Sequence, residues 1–160
     1  MLLPELRYTL IFLTRGKDIL MLHRRNAPNK GLWNGIGGRI EGGEKALDCA
    51  LREIREETGF EVGGLHFGGL LTWDGYETPA GGLYIYTGAA PMGEPQGNDE
   101  GELEWKHREW VFSDAGVVSN IQIFGPSVLN GAPPRWFHFH YTDGEISHFE
   151  FRDLPEGISA

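Results

Sequence analysis

The apolar positions near the start of the chain fall in two short runs that predict β-strands. Residues 8–13 and 19–23 are mostly aliphatic or aromatic, and the polar run 15–18 between them is typical of a hairpin turn. Further strands are predicted at 65–73, 83–89 and 104–112, each bounded by glycines or by a polar stretch. Near the end of the chain, 136–141 and 146–151 lie on either side of Asp143-Gly144, which favours a hairpin.

One segment changes to the period of an α-helix. Over residues 44–58, apolar residues recur at intervals of three and four positions, and charged residues fill the remaining faces. Gly59 follows directly, in the position where glycine commonly ends a helix. A shorter helix is predicted over 120–129, where Gly125 and Pro126 interrupt the pattern. The apolar positions of the first helix are Leu47, Ala50, Leu51 and Ile54.

A glycine-rich segment without periodicity connects the second strand to the first helix. Residues 24–43 contain six glycines, and long segments of this kind are usually functional loops. No repeat, linker or second apolar core interrupts the order of strands and helices. The pattern therefore predicts one domain of the α+β or α/β class over residues 1–160.

Composition and charge limit the classes of function. A chain of 160 residues with 40% hydrophobic residues has enough apolar side chains for a packed core. Its formal net charge is −9, and no basic stripe that would neutralise the phosphates of a nucleic-acid polymer is visible. An acidic protein still binds a small anionic substrate where divalent cations reverse the local sign of charge.

Two further features of the sequence bear on the cellular compartment of the protein. Cys49 is the single cysteine, which excludes an internal disulfide and suits a reducing compartment. No stretch approaches the roughly 18 apolar residues of a membrane helix, and residues 1–6 do not resemble a secretory signal. We therefore expect a cytoplasmic protein that does not associate with membranes.

The first predicted helix carries a cluster of carboxylates. Glu53, Glu56 and Glu57 are spaced i, i+3 and i+4, which places their Cβ atoms roughly 5–6 Å apart. Such carboxylates repel one another unless a cation lies between them, and oxygen ligands suit Mg²⁺ or Mn²⁺. The alternative is a solvated helix face on which Arg52 and Lys45 pair with nearby acids.

The residues upstream of this cluster extend it into a longer motif. Five residues separate Gly38 from Glu44, and seven separate Glu44 from the pair Arg52-Glu53. This spacing resembles the box of the Nudix hydrolase family, although the family usually has an aliphatic residue at its last position. The resemblance extends over most of the chain, with an acidic loop at 99–105 and a closing hairpin at 136–139. The motif ends with Ile54, Glu56, Glu57, Gly59 and Phe60.

The resemblance implies a fold, a cofactor and a set of metal ligands. The fold would be an α/β/α sandwich around a mixed central sheet, and the cofactor Mg²⁺, with Mn²⁺ as the alternative. The metal ligands would be the Gly38 carbonyl and the carboxylates of Glu53, Glu56, Glu57 and Glu100.

The resemblance also implies catalytic roles. Arg52 and Glu44 would form an ion pair that holds the loop against the helix. Glu53 would activate the attacking water, with Glu100 as the second candidate for the base. Glu102 is the alternative to Glu100 in the acidic loop.

The loop before the helix resembles that of MutT-type enzymes that remove oxidised purine nucleoside triphosphates. Residues 31–39 contain the run Trp-Asn-Gly-Ile-Gly-Gly, and Asn34 matches the asparagine that reads the purine edge in those enzymes. Their partner element is a Trp and a pair of aspartates, which residues 117–122 lack; Asn120 is the polar candidate there. The remaining candidates for substrate contact are Trp33, which would stack on a base or act as a packing residue, with Gly37, His23 and Arg24.

The resemblance leaves more than one function open. The preferred reaction is hydrolysis of a nucleoside triphosphate, such as an 8-oxo-dGTP-like nucleotide, to nucleoside monophosphate and pyrophosphate. The same chemistry on a nucleoside diphosphate linked to another moiety, such as ADP-ribose, is the first alternative, and a non-catalytic nucleotide-binding domain is the second.

The sequence leaves the oligomeric state open, as well as any substrate role of Asp74, Tyr76 and Glu77. His138, His140 and His148 alternate on the final hairpin and are predicted to be structural.

Overall fold

Nine strands of the described chain form one mixed sheet. The structure, a computed structural model, describes residues 2–76 and 79–158. In chain order the elements are β1 (Leu6–Arg15), β2 (Asp18–Arg24), β3 (Trp33–Asn34), β4 (Ile36–Arg39), α1 (Ala46–Thr58), β5 (His66–Asp74), β6 (Gly81–Ala89), β7 (Gly101–His107), α2 (Arg108–Val111), α3 (Ile121–Leu129), β8 (Arg135–Thr142) and β9 (Glu145–Arg152).

Strand β1 organises the sheet. One edge of β1 pairs in parallel with β6 along most of its length. The other edge is shared, because Tyr8 to Ile11 pair with β4 whereas Thr14 and Arg15 pair with β2. Strand β2 continues the sheet to β7 and β3, and on the far side β6 leads to β5, β8 and β9. This division places the short strand β4 beside β1, directly under α1.

Separate apolar cores lie on the two faces of the sheet. Successive side chains of a strand point to opposite faces, so Leu10 and Phe12 join one core whereas Ile11 and Leu13 join the other. The helices complete these cores, with Ile121, Phe124 and Val128 from α3 on the first side and Ala50 and Ile54 from α1 on the second. The predicted α/β/α sandwich is therefore confirmed.

The predicted helix around the carboxylates is present. It begins at Ala46, two residues later than its pattern suggested. It ends at Thr58, and the capping residue Gly59 has a φ of 77° in the left-handed region and donates its N–H to the carbonyl of Arg55. The second predicted helix is also present as α3, with Pro126 inside it.

Two sequence-based assignments were wrong. The strand predicted over 104–112 ends at His107, and α2 follows. The backbone N–H of Glu109 donates to His107 Nδ1 at 3.2 Å, so His107 caps the first turn and ends the strand. The segment 24–43 is also not entirely a loop, because β3 and β4 lie within it. A Cβ at Gly37 would overlap the backbone of Thr9, so glycine here allows close strand pairing.

Within the part of the chain that the structure describes, no helix has both the length and the apolar character needed to cross a bilayer.

Candidate active site

Of the three glutamates of helix α1, two turn inward and one turns outward. Glu53 and Glu57 are 8% and 4% exposed and lie over β4, as their i, i+4 spacing requires. Glu56 lies between them in sequence, and its side chain is 58% exposed. The helix therefore presents a buried carboxylate pair beside a third carboxylate that reaches solvent.

Arg52 connects these carboxylates to the preceding loop. Its Nε and Nη2 donate to the two carboxylate oxygens of Glu44 at 2.8 and 2.9 Å. Its Nη1 donates to Glu53 at 2.9 Å and to Glu56 at 3.1 Å, and Nη2 also reaches the carbonyl of Arg39. The bonds from Arg52 lower the pKa of Glu44 to about 2, and Glu44 in turn raises the pKa of Arg52. Both groups therefore stay charged at neutral pH, and the loop is fixed to the helix.

Two glycines of β4 allow the backbone to approach the buried carboxylates. The N–H of Gly37 donates to Glu57 Oε2 at 3.1 Å. A Cβ at Gly38 would occupy the same space as the carboxylate of Glu53. Gly38 is therefore required by the close packing of α1 against β4, whereas Gly37 is required by the close approach of β4 to Thr9.

The two buried carboxylates are electrostatically unfavourable as they stand. Burial, and after it the nearby carboxylates of Glu100 and Glu53, raise the pKa of Glu57 to about 10. Burial also raises the pKa of Glu53, although the Arg52 guanidinium opposes the shift. Glu57 Oε1 is buried and accepts from no donor among the described residues, while the Glu57 carboxyl lies within hydrogen-bond reach of the Glu100 carboxyl. Buried polar atoms of this kind are rare in folded proteins and call for a specific explanation.

The loop at residues 90–100 brings Glu100 to this carboxylate pair. The N–H of Gln96 donates to the carbonyl of Thr58, and Asn98 Nδ2 donates to the carbonyl of Glu57 at 2.9 Å. The N–H of Glu100 donates to Asn98 Oδ1 at 2.7 Å, and the Glu100 carbonyl accepts from Arg25. Glu102 is the second residue of β7 and pairs with His23 of β2. A cavity of about 470 Å³ opens beside this loop and is lined by residues that include Arg25, Asn98, Asp99 and Glu102.

The donor set fits a hard divalent cation. Carboxylate oxygens are the ligands that Mg²⁺ and Mn²⁺ prefer, and a cation beside Glu57 would satisfy its orphaned oxygen and relieve the repulsion among Glu53, Glu57 and Glu100. Among residues 2–76 and 79–158, no three acidic, His or Cys side chains already converge on one point with the spacing of a metal centre. Glu53 and Glu56 are instead turned towards Arg52. Cation binding therefore requires at least Glu56 to rotate away from Arg52.

Comparison with known protein families agrees with this geometry. A family model for the NUDIX domain matches residues 5–117, which include β1, α1 and the loop that carries Glu100. The chain belongs to the Nudix family. The resemblance seen in the sequence is thereby confirmed, and Nudix hydrolases generally use a divalent metal ion.

Curated relatives and solved structures indicate the same branch of the family. The chain is 29% identical over 99 residues to the oxidized purine nucleoside triphosphate hydrolase of Mus musculus and 31% identical over 98 residues to that of Danio rerio. Each alignment covers 61% of this chain, and the chain spans 64% and 63% of the two relatives. A MutT protein from Bacillus halodurans superposes with a TM-score of 0.77 at 26% identity, covering 91% of this chain and 96% of the other. The predicted likeness to MutT-type Nudix proteins is confirmed.

The candidate substrate residues of this Nudix domain are partly engaged in contacts within the protein. Trp33 stacks on His23 with ring centroids 4.6 Å apart, and the ammonium group of Lys106 lies 4.5 Å from the Trp33 ring centroid. Arg24 Nε donates to the carbonyls of Asn26 and Pro28. These contacts favour the packing role for Trp33, and they use one donor of Arg24 to shape its own loop.

The structure brings the two predicted base-reading segments of the Nudix domain together. The N–H of Trp33 donates to the carbonyl of Gly116, and the N–H of Val118 donates to the carbonyl of Trp33. Asn34 follows Trp33 directly, and its Oδ1 accepts from the N–H of Gly35 at 2.8 Å. Asn120 is 9% exposed, and its Nδ2 donates to the hydroxyl of Tyr141. The two asparagines thus lie on segments joined by backbone hydrogen bonds.

Asp74 of β5 joins the sequence candidates His138 and His140 of β8 through hydrogen bonds. His138 is buried and bonded through Nδ1 to Thr72, and Asp74 accepts from both His138 and His140. These contacts are the structural role expected of His138 and His140. Tyr76 donates to Asn29 Oδ1 at 3.0 Å. Glu77 lies outside the described residues.

Sequence reasoning missed the role of Asn98. The sequence did carry a signal for Asn98, because an asparagine side chain commonly accepts a hydrogen bond from the backbone N–H two residues further along the chain. Nothing in the sequence indicates that the same amide also reaches the end of α1.

Proposed function

We propose that this Nudix domain is a Mg²⁺-dependent hydrolase that converts a nucleoside triphosphate to nucleoside monophosphate and pyrophosphate. The observation that carries the proposal is the buried pair Glu53 and Glu57, packed against Gly37 and Gly38 with one orphaned carboxylate oxygen. A protein maintains such a pair at a cost in stability, which is expected where the pair serves a function.

The metal would be held by residues from three elements. They are Glu53, Glu56 and Glu57 of α1, the Gly38 carbonyl of β4 and Glu100 in the loop before β7. When bound, the divalent cation neutralises charge on the phosphate oxygens and lowers the pKa of a bound water. Manganese would serve in place of magnesium, because both cations take oxygen ligands.

The protein's own groups would orient the substrate and accept a proton. Glu53 would take the proton from the attacking water, since its carboxylate faces the site and is held by Arg52; Glu100 is the second candidate for this base. The ion pair of Arg52 and Glu44 would fix the loop that presents the Gly38 carbonyl. Fixed positions of this kind matter because small displacements of reacting groups cost large factors in rate.

An oxidised purine triphosphate is the proposed substrate class. The similarity to the mouse and zebrafish enzymes supports this choice, as does the Trp-Asn-Gly-Ile-Gly-Gly run of β3 and β4. Asn34 would read the base edge, with Asn120 on the adjoining segment as a second polar contact. Trp33, Gly37, His23 and Arg24 remain candidates for further contact with the nucleotide. Since Cys49 is buried and free, a reducing compartment such as the cytoplasm is the proposed location.

The test is a substrate panel with purified protein and Mg²⁺, in which the phosphate products are identified. The panel contains ordinary and 8-oxo nucleoside triphosphates, ADP-ribose and a dinucleoside polyphosphate. The proposal predicts preferential cleavage of an 8-oxo triphosphate with pyrophosphate as the second product. Preferential cleavage of ADP-ribose would replace the proposed substrate and leave the metal site standing. No cleavage of any member with Mg²⁺ or Mn²⁺ would make a non-catalytic nucleotide-binding domain the better account.

A further inference from the structure

One side-chain amide joins two residues of the candidate metal site. Asn98 Nδ2 donates to the backbone carbonyl of Glu57 at 2.9 Å, and Asn98 Oδ1 accepts from the backbone N–H of Glu100 at 2.7 Å. Glu57 belongs to the last turn of α1, and Glu100 belongs to the loop that precedes β7. A single side chain therefore bridges the backbone of Glu100 and the backbone at the end of α1.

This position is unfavourable for a carboxylate without such a link. The carbonyls at the C-terminal end of a helix carry partial negative charge and lack partners within the helix. Glu100 is tied to that end through Asn98, so an acidic side chain lies near carbonyls that disfavour negative charge. The donor of Asn98 satisfies one of the free carbonyls, while its acceptor holds the loop in place.

The other restraints on the loop do not replace Asn98. The N–H of Gln96 bonds the carbonyl of Thr58, which fixes the loop four residues before Glu100. The N–H of Arg25 bonds the carbonyl of Glu100, which fixes Glu100 to the end of β2. The two bonds of Asn98 connect the backbone of Glu100 to the backbone of α1, whereas the carboxyl of Glu100 meets α1 only through its contact with the Glu57 carboxyl, among the described residues.

We propose that Asn98 is a positioning residue for the divalent-cation site, holding Glu100 where it shares a cation with Glu53 and Glu57. This inference rests on the proposed function. An amide is required, because the side chain must donate to one backbone group and accept from another. Aspartate has nearly the same shape and accepts from Glu100, but it has no donor for the Glu57 carbonyl and it adds a negative charge beside the helix end.

The test measures Mn²⁺ binding to the metal-free full chain, using the electron paramagnetic resonance signal of free Mn²⁺. The variants are Asn98→Ala and Asn98→Asp, and the matched control is Gln96→Ala, which keeps the backbone bond of the same loop. The inference predicts that Mn²⁺ binding weakens about tenfold in both Asn98 variants and remains within twofold of wild type in the control. Turnover of the triphosphate should then require a correspondingly higher Mg²⁺ concentration, with little change in the nucleotide KM.

Each outcome decides the inference. Wild-type Mn²⁺ affinity in both Asn98 variants would overturn it and leave the proposed function intact. An equal loss of affinity in Gln96→Ala would also overturn it, because general loosening of the loop would then be the cause. If Asn98→Ala does not fold, the nearly isosteric Asn98→Asp decides alone. Failure of the wild-type protein to bind Mn²⁺ would overturn the proposed function and this inference together.

Discussion

The guanidinium of Arg52 binds the carboxylate of Glu44 through two parallel hydrogen bonds, from Nε to Oε2 at 2.8 Å and from Nη2 to Oε1 at 2.9 Å. Only a planar guanidinium makes this paired contact while its third nitrogen reaches Glu53 and Glu56. The contact links the loop after β4 to α1. It therefore fixes both the Gly38 backbone and the rotamer of Glu53.

Replacement of Arg52 by lysine should separate charge from geometry. Arg52→Lys keeps the positive charge but loses the paired contact with Glu44, so Glu53 and the loop are no longer held together. We expect kcat to fall about a hundredfold, in line with the sensitivity of reacting groups to small displacements. Arg55→Lys is the control, because Arg55 is half-exposed and its ion pair with Glu61, at 3.9 Å, is long. Steady-state kinetics that gave equal kcat values for both variants would contradict the role of Arg52.

Replacement of the buried carboxylate of Glu57 should lower activity without lowering the stability of the metal-free protein. Glu57→Gln keeps the shape but cannot ionise to bind a cation, and in the metal-free protein burial and the nearby Glu100 and Glu53 already oppose the charged form of Glu57. We expect turnover to fall by roughly two to three orders of magnitude, while the unfolding midpoint in EDTA stays constant or rises. Thermal unfolding and kinetics on the same preparation check both halves of the prediction. Activity near that of wild type would show that Glu57 does not hold the metal.

Glu56 should behave differently from its buried neighbours. Its side chain is 58% exposed, so Glu56→Gln should leave the unfolding midpoint in EDTA nearly unchanged. Turnover should still fall by roughly two orders of magnitude if Glu56 rotates from Arg52 to the cation. A variant that retained full turnover would mean that Glu56 only pairs with Arg52 on a solvated helix face.

A methyl group at Gly38 should disrupt the site directly. The Cβ of Gly38→Ala would overlap the carboxylate of Glu53, so Glu53 must leave its position or β4 must move away from α1. We expect Mg²⁺ to stabilise this variant against thermal unfolding much less than it stabilises wild type. Gly42→Ala is the matched control, since no atom lies within 4 Å of its added Cβ. Equal stabilisation of the two variants by Mg²⁺ would refute the packing argument.

Asn34 should affect the choice of base more than the rate. Its Oδ1 accepts from Gly35 N–H, which leaves the amide NH₂ group for a substrate. We expect Asn34→Ala to lower kcat/KM for an 8-oxo purine triphosphate about tenfold relative to the ordinary purine, the size of one lost hydrogen bond of roughly 1.4 kcal/mol. The ratio of kcat/KM for the two nucleotides measures this. An equal loss for both would show that Asn34 supports the loop instead.

Much of the fold could be predicted because its signals are local. The 3.6-residue period and Gly59 define α1 within two residues, and the alternation within β1 leads to a core on each face. The box of Gly38, Glu44, Arg52 and the glutamates also needs no knowledge of distant contacts, since one loop and one helix carry it. The spacing of these residues along the chain was therefore sufficient to identify the family and to name the candidate metal ligands within the box.

The remaining features depend on contacts between distant residues. In the sequence, residues 24–43 have the glycine content of a loop. At Gly37, however, the absence of a side chain allows β4 to pair closely with Thr9 of β1. The end of β7 depends on a cap by the His107 ring, which no periodicity reveals. The contacts of Trp33 with His23 and Lys106 likewise arise from three separate strands.

The most direct test of the account is the identity of the phosphate product released from a nucleoside triphosphate before and after removal of divalent metal. We predict that the protein releases pyrophosphate and nucleoside monophosphate with Mg²⁺, releases neither in EDTA, and recovers when Mg²⁺ is restored. Release of orthophosphate and nucleoside diphosphate, or turnover that persists in EDTA, would contradict the proposed reaction at the carboxylates of α1.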